Sequence, residues 1–238
     1  MSTLEDRIEI ANPQQPHCAT VLLLDTSGSM DGEKISALNE GIRIFKKEIV
    51  GDETEEAKGD DLAAKRVDLA VITFGHAVNV IHEFSSVGDF DPPTLVANGT
   101  TPMGGAILKA IEMVEQRKQQ YKAQGIDYYR PWVFMITDGE PTDMQPGDSK
   151  WTETTKKVHD GEANKKFMFF AVAVGEANMD MLKTIAPPNR GPVKLKGTKF
   201  KDLFQWLSRS QIKVSASKVG DQVALENPAT AGWGEVSG

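Results

Sequence analysis

The sequence predicts a doubly wound α/β fold with a mostly parallel six-stranded sheet, one antiparallel edge strand and helices on both faces. Three observations carry this expectation. The runs at 19–24, 132–137 and 167–174 are short and nearly continuously apolar, as strands buried on both faces must be. Segments with apolar residues at helical spacing alternate with such runs, and a strand reached through a helix pairs parallel with its predecessor. Residues 67–74 and 78–84 flank a tight Gly75-His76 turn, the mark of an antiparallel edge pair. The arrangement is Rossmann-like.

Each element follows from its own pattern. After the strand at 19–24, Ile35, Leu38, Ile42, Phe45 and Ile49 recur at helical spacing, and Gly51 is placed to end that helix. A helix over 103 to about 121 carries Ile107, Ile111 and Val114 on one face. The strand at 132–137 leads to a helix at 151–164, the strand at 167–174 to a short helix at 180–185. A last strand at 193–195 precedes a helix lined by Leu203, Phe204, Leu207, Gln211 and Val214. Residues 1–16 read as an N-terminal extension and 17–214 as one domain. The tail, 215–238, mixes Ser, Gly, Pro and Ala, with Leu225 and Trp233 as its sizeable anchors, and is expected to be loosely ordered. Residues 51–66, rich in acids, read as a solvated flexible insertion at the far edge of the sheet.

Composition narrows the function classes. The chain has 238 residues, 39% of them hydrophobic, enough for one large core. A net charge of -7 argues against nucleic acid or an anionic membrane as the main ligand. One cysteine, Cys18, excludes an internal disulfide and reads as a small apolar residue at a strand edge. The N-terminus carries Glu5, Asp6 and Glu9 without an apolar core, and no apolar run reaches the roughly 18 residues of a membrane span, so a cytoplasmic location is expected. His76, His82 and His159 fall on separate elements and are not expected to share a ligand.

Three pieces of sequence converge on one place. Asp25-Thr26-Ser27-Gly28-Ser29 follows the first strand, Thr100-Thr101-Pro102 opens the helix at 103, and Asp138-Gly139-Glu140 follows the strand at 132–137. In such sheets ligands sit at the carboxyl ends of the strands, where the strand order switches. Short oxygen-bearing side chains gathered there fit a divalent metal. Magnesium takes about six oxygens near 2.1 Å and keeps several waters, so few protein groups suffice. Hydroxyls coordinate without neutralising the ion, and carboxylates behind them balance charge through water. The ion therefore stays electrophilic toward an outside carboxylate.

These residues resemble the metal-ion-dependent adhesion site of the von Willebrand factor type A (VWA) family, which reads D-x-S-x-S, then a lone Thr, then an Asp. The resemblance runs from about 17 to about 214 and implies Asp25, Ser27, Ser29, Thr101 and Asp138 as the metal set. Thr101 rather than Thr100 fits the family spacing to Ala106. The wording LLLDTSGSM, VITFG, TTPMGGAI and ITDGEPTD resembles bacterial intracellular VWA proteins of the TerY and YegL type, associated with tellurium resistance and stress. That likeness implies a PP2C-like phosphatase and a protein kinase as partners. It implies a non-enzymatic module holding Mg, or Mn, that binds an acidic residue of a partner protein.

The partner surface is expected among the loops at the metal's edge. The longest, 139–150, carries Glu140 and Asp143 and runs into Trp151, and Thr100 lies beside the site, so these four are the candidate partner contacts. Tail residues Glu226 and Glu235 are a possible internal source of the carboxylate. The competing expectation is a Mg-dependent phosphohydrolase of the haloacid-dehalogenase type, which would need D-x-D-x-T. Ser27 stands where its general acid should be.

Overall fold

The computed structural model describes residues 10–52 and 59–236. Glu5, Asp6 and Glu9 and the middle of the acidic insertion lie outside the described residues. Seven strands form one sheet: β1 (Cys18–Asp25), β2 (Val67–Phe74), β3 (Val78–Ser86), β4 (Trp132–Thr137), β5 (Met168–Ala173), β6 (Val193–Leu195) and β7 (Gly234–Val236). Their order is β3-β2-β1-β4-β5-β6-β7, parallel from β2 through β6 and antiparallel at both ends.

Alternation along β1 divides the core in two. Leu22 and Leu24 face α1 (Glu33–Val50), α2 (Asp61–Arg66) and α6 (Phe200–Ser215), whereas Val21 and Leu23 face α3 (Met103–Gln124), α4 (Ser149–Ala163) and α5 (Met179–Ile185). Every residue of β1, β2 and β4 is buried, which is why the runs at β1 and β4 read as nearly continuously apolar, whereas β2 buries Asp68 among its apolar residues. β3 alternates between half-buried and exposed positions, as an edge strand covered on one face must, and its pairing with β2 shifts register twice near Val71. Cys18 is fully buried, and burial pushes its thiol up to about 12.

The six-strand expectation is corrected to seven by the tail. β7 pairs antiparallel with β6 through Val193↔Val236 and Leu195↔Gly234. Trp233, 1% exposed, lies 5.3 Å from Trp206 ring to ring, and the Trp206 indole donates to the Glu226 carbonyl at 2.9 Å. One aromatic anchor supplies the burial that the tail's polar composition lacks. It also places Glu226 and Glu235 by the far edge strands, away from β1. The insertion expectation is corrected in part: Asp61–Arg66 is helical because the Asp60 side chain accepts from the Ala63 N–H at 2.7 Å and caps it. Arg66 then donates to Gln15, Tyr129 and the Ser215 carbonyl.

Below the sheet, Asp68 at the start of β2 is the centre of a buried ionic cluster. Arg117 donates to it through Nε at 3.1 Å and Nη2 at 2.6 Å, the Tyr121 hydroxyl donates at 2.5 Å, and the His17 ring nitrogen lies 3.1 Å away. Burial raises the Asp68 carboxyl, but His17, Arg117 and Tyr121 outweigh it and leave its pKa below the ordinary value. Asp68→Ala strands the Arg117 cation and is expected to cost about 3–5 kcal/mol in urea unfolding at neutral pH. A carboxyl with a depressed pKa stabilises above the ordinary Asp range near 4 and loses that contribution as pH falls through its folded value. The stability gap between wild type and Asp68→Asn should therefore narrow below about pH 4 in paired denaturant titrations.

Candidate metal centre

The site is assembled by backbone before any side chain reaches it. β1 lies between β2 and β4, so the ends of β1 and β4 are neighbours and Asp25 and Asp138 leave the sheet side by side. Beyond β1, a single 3-10 turn (Gly28–Met30) carries Ser29 back toward the strand ends. The loop bearing Thr101 is tied to this turn by Gly28 N–H to Gly99 carbonyl at 3.0 Å and Asn98 N–H to Thr26 carbonyl at 2.7 Å. It is tied to the loop after β4 by the Thr142 N–H to Thr101 carbonyl bond at 2.9 Å and the Thr101 N–H to Thr142 hydroxyl bond at 3.1 Å.

All five candidate metal residues meet here. Ser27 Oγ and Ser29 Oγ are 3.0 Å apart, and Ser29 donates to Asp138 Oδ1 at 2.6 Å. Asp25 accepts from the Ser27 N–H at 2.8 Å and from the Thr137 hydroxyl at 2.6 Å. Gly139 shows how tightly Thr101 closes the ring: a Cβ there would stand 3.1 Å from Thr101 Oγ1 and 3.8 Å from Asp25 Oδ2. Thr101 is buried, whereas Thr100 is exposed and directs its hydroxyl to the Gly75 carbonyl at 3.5 Å.

Electrostatics leave the site short of positive charge at Asp25. Asp25 is fully buried, and burial raises its pKa, opposed by the hydrogen bonds from Ser27 and Thr137 and reinforced by the nearby Asp138. Asp138 instead meets a cation: Lys34 Nζ lies 2.5 Å from its Oδ2 and also donates to the Ser29 carbonyl at 3.1 Å. Among the described residues no group of three or more His, Cys, Asp or Glu could hold a metal. An ion here would rest on hydroxyl oxygens with two carboxylates behind them, and the donors present fit the hard, oxygen-seeking Mg type.

Two of the four candidate partner contacts belong to the fold instead. The Asp143 carboxylate accepts the Gly104 and Gly105 N–H groups at 3.0 and 2.8 Å and pairs with Lys150, so it caps the N-terminus of α3. Trp151, 7% exposed, packs into the core between α3 and α4 because it falls on the inward face of the α4 helix. Glu140 is exposed and accepts from Asn178 at 2.7 Å, and Thr100 remains at the surface. Sequence reasoning missed Thr137, Thr142 and Lys34. For Lys34 a signal existed: a cation in the first turn of a helix, where acids are favoured. His82 lies 4.8 Å from Phe90 ring to ring at a tilt of 58°, and the His159 ring nitrogen bonds the Thr184 and Ala186 carbonyls.

Comparison with known proteins agrees with the topology. A search of curated proteins finds no match. Among solved structures, a von Willebrand factor type A protein from Catenulispora acidiphila superposes with TM-score 0.59 at 17% identity, over 83% of this chain and 43% of that one. The open conformation of the pilus adhesin SpaC from Lactobacillus rhamnosus GG gives TM-score 0.63 at 13% identity, over 86% of this chain and 31% of that one. Proximal thread matrix protein 1 of the mussel byssus, with a zinc-occupied MIDAS motif, gives 0.51 at 16% identity, over 84% and 48%. The chain thus spans less than half the length of each of these structures. At these identities the likeness shows the fold. The family model for the von Willebrand factor type A domain matches residues 20–206, most of the chain, and the protein belongs to that family.

Proposed function

We propose that the chain is a metal-dependent protein-binding module whose ion is held by Ser27, Ser29 and Thr101, with Asp25 and Asp138 behind them. The observation that carries this is the hydroxyl chain Ser27–Ser29–Asp138 closed by Thr101 across Gly139. The ion, of Mg or Mn type, supplies an open, electrophilic position that a carboxylate of a partner protein fills. The chain's own residues fix the rest: the strand ends set the spacing, and Thr137 and the Ser27 N–H hold the Asp25 carboxylate in one orientation. Thr100 and Glu140 lie at the surface beside the site and are the partner contacts this reading keeps.

VWA domains are known for metal-dependent protein interactions, and one structural neighbour carries zinc at its own adhesion site. The likeness to TerY- and YegL-type wording supports a role in a bacterial stress or tellurium-resistance system, with a PP2C-like phosphatase and a protein kinase as partner classes. No helix among the described residues is long and apolar enough to cross a membrane, and the proposal places the module in the cytoplasm. A phosphohydrolase is disfavoured because the position of its general acid is Ser27, whose hydroxyl is paired with Ser29 rather than with a base.

Calorimetry should find Mg or Mn bound by wild type and not by Asp138→Ala, with far-UV circular dichroism unchanged. Pull-down from a lysate should lose its captured protein when a chelator is added. Tight Ca binding without Mg or Mn would overturn the ligand set, because calcium prefers about six to eight oxygens.

Stability without metal should carry the opposite mark. An acid whose folded pKa is raised holds its proton more tightly folded than unfolded, so stability falls as pH rises from the ordinary Asp value through the folded one. In chelator, wild type should lose thermal stability relative to Asp25→Asn across that rise, and at neutral pH saturating Mg should reverse the order. Parallel melting curves for the two chains in chelator would remove the argument.

A further inference from the structure

The geometry points to Lys34 as the residue that sets the net charge of the metal centre and thereby its pull on a partner carboxylate. This inference rests on the metal-dependent reading above and adds a specificity-determining residue outside the five-residue set. Lys34 stands in the first turn of α1, an end of the helix where a cation is disfavoured by the helix dipole. Its ammonium nevertheless turns into the site, 2.5 Å from Asp138 Oδ2 and 3.1 Å from the Ser29 carbonyl. Ser29 occupies the other oxygen of Asp138, so both are engaged. The neighbouring Glu33 is directed elsewhere and accepts from the Thr198 hydroxyl at 2.8 Å.

A second element leaves space for this side chain. Gly175, in the loop after β5, has a φ of +57, and a Cβ there would come within 3.4 Å of Lys34 Cε and 3.5 Å of its Nζ. The lysine is a fitted part of the strand-end cluster. Its side chain keeps 32% of its surface exposed, so solvent moderates its field without removing it.

Charge counting gives the consequence. Asp25 and Asp138 together cancel the formal charge of a divalent ion, so an incoming anion would gain the short-range contact with the ion but no longer-range attraction from the site's net charge. With Lys34 the ensemble carries one positive charge, which a single incoming carboxylate neutralises. Lys34 therefore trades affinity for the ion against affinity for the carboxylate. Removing its charge should strengthen the first and weaken the second. A mutation that merely damaged the fold would weaken both.

The test uses the full chain as wild type, Lys34→Met and Lys34→Arg. Mn binding is measured by electron paramagnetic resonance, and acetate is then titrated into the Mn-loaded chain while water-proton relaxation reports loss of metal-bound water. Lys34→Met should bind Mn at least about fivefold more tightly and need at least about fivefold more acetate for half effect, with Lys34→Arg near wild type. Equal Mn and acetate affinities in wild type and Lys34→Met, or both weakened together, would overturn the role of Lys34 while the metal reading stands. Absence of Mn and Mg binding to wild type would instead remove both.

Discussion

A fully buried carboxylate at the end of β1, with no cation among the partners it accepts from, is the constraint on which the upper edge of this molecule turns. Burial makes the charged form of Asp25 costly, and neutral donors offset only part of that. The surrounding architecture is consistent with a structure that holds this cost in place. Two parallel neighbours fix β1 so that its terminal residue cannot turn out to water, and Thr137 is aimed at it from the adjacent strand end. The 3-10 turn and the loop at 97–101 are locked to each other by backbone bonds rather than by mobile side chains.

The same two central strands carry a second buried carboxylate with the opposite solution. Asp68 opens β2 at the lower edge, pairs in register with Ala19, and is surrounded by Arg117, Tyr121 and His17. There the protein supplies the compensating charge internally, and the cluster contributes to holding α3 against the sheet. At the upper edge it supplies only neutral hydrogen bonds to Asp25. One end of the sheet is electrostatically complete and the other is open, which is how a rigid scaffold and a responsive site coexist on strands eight residues long.

The sheet centre was legible because burial on both faces writes a nearly unbroken apolar run, which β1, β4 and β5 show, whereas β2 was legible from the tight turn that joins it to β3. Of the candidate metal residues, Asp25, Ser27, Ser29 and Asp138 stood out because they end or follow such a run, whereas Thr101 sits in a loop before α3 and was picked out by the family resemblance alone. What could not be seen depends on contacts between distant residues. β7 is three residues, Gly234-Glu235-Val236, with no periodicity of their own, and it exists because Trp233 is anchored beside it. Lys34 and Asp138 meet across 104 positions, so neither announces the other. Asp143 and Trp151 were misplaced because acids and aromatics near a ligand edge look alike in sequence whether they face outward or cap and fill.

The two ends of the sheet bear on how the protein behaves at high concentration. An open β-sheet edge is a template for pairing with another chain, and long flat edges lead to aggregation. Here one border is β3, kinked by its register shifts against β2, and the other is β7, only three residues long with Glu235 in its middle. The β7 border is too short to offer an extended ladder, and along the nine residues of β3 the register shifts work against a flat one. Loss of the tail would expose β6, another strand of three residues, so even a clipped chain would present little to grow on.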